Sequence, residues 1–265
     1  MSEQPLLNTT GLSVRYGGVA ANTGIDVAVR SGEIVGLIGP NGAGKTTFVD
    51  AVTGFTPYTG HVTLAGTALD RLGPHRRRRC GLARTWQAGE LFGDLTVEQN
   101  LAVALQPTGL RSLLTDIVGS SRPPRGAIDA ALELVGVPGV AGCRPHELTL
   151  GQQKLVGVAR ALVGGTKVVL LDEPAAGLDT HESREFGIHL QRIAASGIGV
   201  LLIDHDMALV LETCERLYVL DFGAVIAAGE PAAVRENPRV IAAYLGSART
   251  GSAGTPLARS AGETE

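Results

Sequence analysis

The chain has 265 residues, 44% hydrophobic and 18% charged, a balance that supports a packed core without disulfides or structural metal and excludes bulk disorder. Its 23 basic and 26 acidic residues give a formal charge of −3, so no positive field draws it to nucleic acid and no nucleic-acid partner is expected. Three well-separated cysteines, Cys80, Cys143 and Cys214, disfavour a disulfide framework or a cysteine-rich zinc site and fit a reducing compartment.

No apolar stretch reaches the roughly 20 residues that cross a bilayer, so membrane association is expected to run through a partner. Met1 to Thr10 has no basic stretch ahead of an apolar run, which disfavours export. From Leu6 to Gly66 the sequence reads as short strands and turns. Alternation over Gly24 to Arg30 predicts a half-buried strand closed by the turn Ser31-Gly32, and the run Ile34 to Ile38 predicts a buried one. Glycines then cluster up to Gly44, Lys45 to Val52 can form a helix, and Gly54 is placed to stop it. His61 to Leu64 returns to strand character.

From Arg71 to about Arg160 strand runs vanish and amphipathic helical pieces appear, such as Ile128 to Val135 with Ile128, Ala131, Leu132 and Val135 on one face. Pro107 to Gly109 and Ser120 to Gly126 read as loops. This block is expected to be a helical subdomain inserted in an α/β core. The core resumes with a strand over Val168 to Leu171. Asp179 can cap the next helix, with Glu182 completing a capping box. Phe186, Leu190 and Ile193 form the stripe of that helix, Gly197 ends it, and Val200 to Ile203 is again a strand. Strand, helix, strand with short links predicts parallel pairing. Past Gly246 periodicity is lost and little order is expected.

Gly39-Pro40-Asn41-Gly42-Ala43-Gly44-Lys45-Thr46 matches the P-loop pattern G-x-x-x-x-G-K-[ST] in full, between a buried strand and a helix. Gly39, Gly42 and Gly44 let backbone N–H groups turn inward around phosphate oxygens, where a Cβ would intrude. The helix start adds its positive end. Lys45 is one of only three lysines; it reaches the β- and γ-phosphates as a point charge, and the Thr46 hydroxyl ligates Mg2+. Asp172 ends an apolar strand, where ligands collect in open α/β sheets, and is assigned to the metal directly or through water. Glu173 follows as the residue to orient or deprotonate the attacking water. The plain alternative is a polar strand end before a loop. His205 lies just past the neighbouring strand and can donate to a γ-phosphate oxygen; Asp204 and Asp206 could equally hold it in a surface network.

Taken together, these residues resemble the nucleotide-binding subunit of an ATP-binding cassette transporter from Leu6 to Gly246. The resemblance implies a P-loop NTPase core of α/β class with a mostly parallel sheet, an N-terminal antiparallel β part and an inserted α-helical subdomain. It divides the single ATPase domain, 6–246, into 6–86 (first part of the core), 87–160 (helical subdomain with the signature segment) and 161–246 (rest of the core), ahead of a tail at 247–265. By position, Tyr16 looks like the aromatic that stacks on adenine, and Gln87 like the glutamine that links the metal to the helical block. Pro40, Asn41, Ala43 and Thr47 complete the nucleotide cradle. Leu148-Thr149-Leu150-Gly151-Gln152 takes the signature position, whose usual serine and glycine are here Thr149 and Leu150. Thr149 keeps a hydroxyl, and Gly151 and Gln152 open a helix that can face ATP held by a second subunit. As a plain helix start, Thr149 would serve only as its cap. Ala176-Gly177-Leu178-Asp179 matches the loop that touches that subunit, and His205 matches the switch histidine.

Arg84-Thr85-Trp86-Gln87, Leu91-Phe92, Leu95 to Asn100 and the late stretch Gly229 to Gly246 look like the importer branch for branched-chain amino acids and related amides. Arg84 can contact phosphate or the partner, or lie on the surface; Trp86 can pack beside Gln87 or anchor the core. The basic run His75 to Arg79 reads as a solvated helix face or one turned to lipid headgroups. The implied assembly is peripheral, on the cytoplasmic face of the cell membrane. Its implied parts are integral membrane permease subunits, a second ATP-binding subunit, and a periplasmic or extracellular solute-binding protein. The rivals are lipid extraction or export, and an ATP-gated interaction subunit with weak hydrolysis.

Overall fold

Strands β1 (Leu7–Tyr16) and β2 (Val19–Ile25) form a hairpin, followed by the two-residue β3 (Ala28–Val29). The single strand expected over Gly24 to Arg30 is split at Asp26-Val27. There the Asp26 carboxylate accepts from the Gly11 N–H at 2.6 Å, and the Val27 N–H donates to Thr9 Oγ1 at 2.8 Å. The Thr9 N–H still donates to Val27 O at 2.8 Å, so side-chain bonds supplement the backbone at the break. These coordinates are a computed structural model that describes residues 4–85, 91–105 and 125–250, the last six by backbone alone.

Next come β4 (Ile34–Ile38), α1 (Lys45–Thr53), β5 (Thr59–Leu64) and β6 (Thr67–Ala68). Gly54 closes α1 in the left-handed region at φ +86°, as its missing Cβ permits. After α2 (Pro74–Arg79) the three-residue β7 (Leu82–Arg84) interrupts the stretch in which no strand was expected. The helical block contains α3 (Val97–Leu105), α4 (Arg125–Leu134) and α5 (Leu150–Leu162). Asn100, fully buried, stitches its entry: the side chain accepts from the Phe92 N–H and donates to the Phe92, Leu95 and Thr96 carbonyls. The loop expected at Pro107 to Gly109 and most of that at Ser120 to Gly126 fall outside the described residues, while Arg125 and Gly126 already belong to α4.

The chain then runs through β8 (Val168–Asp172), α6 (Thr180–Ala195), β9 (Gly199–Ile203), α7 (Met207–Thr213), β10 (Arg216–Asp221), β11 (Ala224–Gly229), α8 (Pro231–Arg235) and α9 (Pro238–Thr250). The last helix continues through Gly246 to Thr250. Two sheets result. One is antiparallel, in the order β2-β1-β5-β6 with β3 beside β1; the other runs β11-β10-β4-β9-β8-β7 and is parallel except at the β10–β11 edge.

The parallel strands read as continuous apolar runs because both faces are covered. On β8, Val168 and Leu170 join one core with Leu37, Phe48 and the antiparallel sheet. Val169 and Leu171 join the other, with Phe186, Leu190 and the helical block. This alternation fixes which side of the sheet carries each element and leaves the strands' carboxyl ends together at one edge.

The basic run is not a solvated face throughout. Arg77, 2% exposed, donates from Nη1 to the last carbonyls of α1, Ala51 O at 2.9 Å and Val52 O at 2.7 Å, and from Nε to Leu72 O at 2.7 Å. Arg78 donates to Val163 O and Thr166 Oγ1. The six-residue helix α2 turns these two side chains inward and leaves Arg76 exposed.

Candidate functional site

The sheet edge delivers the P-loop. Directly after β4 the backbone enters conformations that disfavour a side chain, with φ +149° at Gly39, +81° at Gly42 and +99° at Gly44. A Cβ on Gly39 would lie 2.1 Å from Leu220 O. The loop is braced from two sides. The Asn22 side chain on β2 donates to Gly44 O at 3.1 Å, and the Gly223 N–H, in the β10–β11 turn, donates to Ala43 O at 3.0 Å. Lys45 Nζ donates to Gly39 O at 2.6 Å and Pro40 O at 3.0 Å, so the ammonium lies along the loop. Burial lowers the Lys45 pKa, opposed by the charges of Glu173 and Asp172.

Those acids come from β8. Asp172, 6% exposed, closes the strand and pairs in register with Ile203 of β9. Glu173 takes φ +47°, rare for a non-glycine residue and costing about 1–3 kcal/mol; its N–H donates to Ile203 O at 2.7 Å, which holds the turn. His205 Nδ1 lies 3.8 Å from Glu173 Oε1. The histidine is carried by a turn built on Asp204, 3% exposed, whose carboxylate accepts from the N–H groups of His205, Asp206 and Ala175. Burial nevertheless raises the Asp204 pKa. Asp206 caps α7 and accepts from Ser183 Oγ at 2.7 Å, tying that helix to α6.

A cavity of about 590 Å3 is lined by Asn41 to Thr47, Asp172, Glu173 and Ile203, with Val19 and Phe222 also contributing. That volume falls within the roughly 300–1,000 Å3 of small-molecule sites. The structure thus brings Lys45, Thr46, Thr47, Asp172 and Glu173 together. Thr46 and Asp172 offer two oxygen donors to one space, and no cluster of three or more His, Cys, Asp or Glu suited to a metal occurs among the described residues. Such a sparse set suits magnesium, which is usually held by one or two side chains plus substrate phosphate oxygens.

The other expected residues stand apart from this lining. Tyr16, 54% exposed, ends β1, its hydroxyl 3.4 Å from Thr56 Oγ1. Thr149 caps α5, accepting from the Gln152 N–H at 3.2 Å while the Gln152 side chain accepts from the Thr149 N–H, a reciprocal box. Gly151 follows in the first turn of α5. Leu150, 42% exposed, leans toward Gly177 in the loop that precedes Asp179. Asp179 caps α6 through the His181 and Glu182 amides. Gln87 and Trp86 lie outside the described residues. Arg84 is not a surface residue: its side chain is 6% exposed and pairs with Asp50 on α1 and, at 2.9 Å, with Asp172 Oδ2. Sequence reading passed over Asn22 and Asp50 as site residues, because each acts through a partner distant in sequence, and it named Asp204 only as a residue that could hold His205.

A family model described as ABC transporter matches residues 23–176. The chain belongs to the ABC transporter family. A second model, described as Branched-chain amino acid ATP-binding cassette transporter, matches residues 224–250. The high-affinity branched-chain amino acid transport ATP-binding protein LivG of Salmonella typhimurium is 40% identical over 253 residues, covering 92% of this chain and 99% of its own. The lipopolysaccharide export system ATP-binding protein LptB of Escherichia coli is 33% identical over 241 residues, covering 91% of this chain and 97% of its own. Among solved structures, the ADP conformation of an ATP-binding cassette of an ABC transporter matches with a TM-score of 0.80 at 29% identity, over 92% of this chain and 99% of that one.

The chain is therefore an ATP-binding subunit with ABC-type ATPase activity, and its hydrolysis drives transport through a partner permease. The mostly parallel sheet, antiparallel N-terminal strands and inserted helices are the architecture of an ABC ATPase. No helix among the described residues is long and apolar enough to cross a membrane.

Proposed function

We propose that this ABC ATPase drives import of branched-chain or related amino acids or amides, working on the cytoplasmic face of the cell membrane. Its partners would be permease subunits, a second ATP-binding subunit and a periplasmic or extracellular solute-binding protein. Support for this cargo comes from the match over 224–250 and from the 40% identity to a branched-chain amino acid transport subunit, against 33% to a lipopolysaccharide export subunit.

The mechanism rests on one observation, that a single cavity gathers the P-loop, Asp172 and Glu173. The N–H groups of Gly42 to Thr47 and the α1 terminus bind the phosphates, and Lys45 meets the β- and γ-oxygens. Magnesium held by Thr46 and Asp172 would offset charge on the transferring phosphoryl group, with Gln87 as the link to the helical block that the resemblance implies. Glu173 orients the attacking water, and His205, within 3.8 Å of it, registers the γ-phosphate. Thr149, Gly151 and Gln152 face the ATP of the second subunit, whose surface Asp179 also meets, and Tyr16 receives the adenine. A groove of about 520 Å3 between the α/β core and the helical block exposes Phe55, Phe92 and Val103 beside Arg78 and Arg160, an apolar floor with a cationic rim that suits the permease.

The test uses Glu173→Gln, which slows hydrolysis and should trap dimers in ATP that are absent in ADP and in Lys45→Ala. Dimers formed regardless of nucleotide would refute the sandwich. In the same strains both substitutions should abolish uptake of radiolabelled leucine, isoleucine and valine. Unchanged uptake beside ATP-trapped dimers would refute the amino-acid cargo and leave the engine standing.

A further inference from the structure

We infer that Arg84 is a positioning residue of the metal site, fixing the spacing between the two oxygen donors contributed by α1 and β8. The inference rests on the reading of Thr46 and Asp172 as those donors. One guanidinium binds two acids through different nitrogens: Nη1 meets Asp50 Oδ1, and Nη2 meets Asp172 Oδ2 at 2.9 Å. Asp50 belongs to the helix that begins with Lys45 and Thr46, and Asp172 closes the neighbouring strand. The fork therefore bridges the two elements whose separation the cation must match.

Its own placement is rigid. Arg84 pairs with Leu170 in the β7–β8 ladder, and the next residue adds two ties: the Thr85 N–H donates to Leu170 O at 2.9 Å, and the Asp172 N–H donates to Thr85 Oγ1 at 3.3 Å. The Arg84 and Asp172 side chains are each 6% exposed, so water does little to screen the pair. With Oδ2 committed to the guanidinium, the carboxylate cannot swing, and Oδ1 is the oxygen offered to the cation. A lysine would keep the charge but not the two-pronged reach.

The experiment measures ATP binding to the purified full chain with a fluorescent ATP analogue, in EDTA and across a Mg2+ titration, with hydrolysis read separately. Arg84→Met should leave affinity in EDTA within about twofold and raise the half-saturating Mg2+ concentration by about 10- to 100-fold, the usual effect of losing a residue that orients a metal ligand. Arg84→Lys should fall between it and the parent. If Arg84→Met unfolds because two carboxylates are left facing each other, Arg84→Met with Asp50→Asn removes that repulsion and is read instead. Asp172→Asn separates the two ideas. Loss of Mg2+ dependence there with normal dependence in the Arg84 variants overturns the positioning role alone; normal dependence in Asp172→Asn overturns the metal assignment beneath it.

Discussion

Replacing Arg77 with methionine keeps most of the aliphatic stem and removes the guanidinium from beneath α1. The parent side chain donates to Ala51 O, Val52 O and Leu72 O and contacts the Tyr58 hydroxyl at 3.1 Å. Hydrogen bonds from a charged donor contribute about 1.5–3 kcal/mol each. Counting only the two that close α1, at the low end, gives about 3 kcal/mol; the contacts to Leu72 and Tyr58 raise the figure toward about 5 kcal/mol, since shared bonds do not add fully. For a chain of this size each kcal/mol moves the midpoint by roughly 2–4 °C, so the melting temperature should fall by at least about 6 °C. Urea and thermal unfolding followed by circular dichroism measure this, beside Arg76→Ala, an exposed neighbour expected to stay within about 0.5 kcal/mol. If Arg77→Met matched Arg76→Ala to within 1 kcal/mol ~, the idea that this arginine closes the P-loop helix would be wrong.

Gly39→Ala should remove ATP binding while leaving most secondary structure, because its Cβ would meet Leu220 O at 2.1 Å from a φ of +149°; equilibrium dialysis with labelled ATP at parental affinity would contradict this. His189 on α6 should make stability fall in mild acid. Burial and Arg192 hold its pKa below the ordinary value, against Glu185, and its Nδ1 is buried without a hydrogen-bond partner. The unfolded imidazole then takes up a proton first, so stability drops as pH falls below about 6.5 toward the folded value. His189→Gln should flatten the melting temperature between pH 7.5 and 5.5, and an unchanged slope would count against the assignment.

The elements that carry the phosphate site were legible because their signals are local. Ile34 to Ile38 and Val168 to Leu171 are apolar throughout, as strands covered on both faces must be, and the P-loop pattern sits between strand and helix. Asp179 and Glu182 announced the start of α6 by their spacing. What escaped notice depends on distant partners. β7 is three residues long and becomes a strand only against β8. Arg77 and Arg84 look like surface charges until α1 and β8 are laid beside them. Asn22 carries no motif, and its bond to Gly44 exists only after the antiparallel sheet folds over the loop.

The P-loop's shape is inherited from segments far from it in the chain. Leu220 and Gly223 fill its flank and Asn22 ties down its end, so a fragment spanning only β4 and α1 would hold every letter of the motif and no working cradle. Transplanting the phosphate grip into another scaffold would mean moving three separated pieces of chain, and trimming the protein ahead of the β10–β11 turn should silence nucleotide capture with the glycines and the lysine untouched.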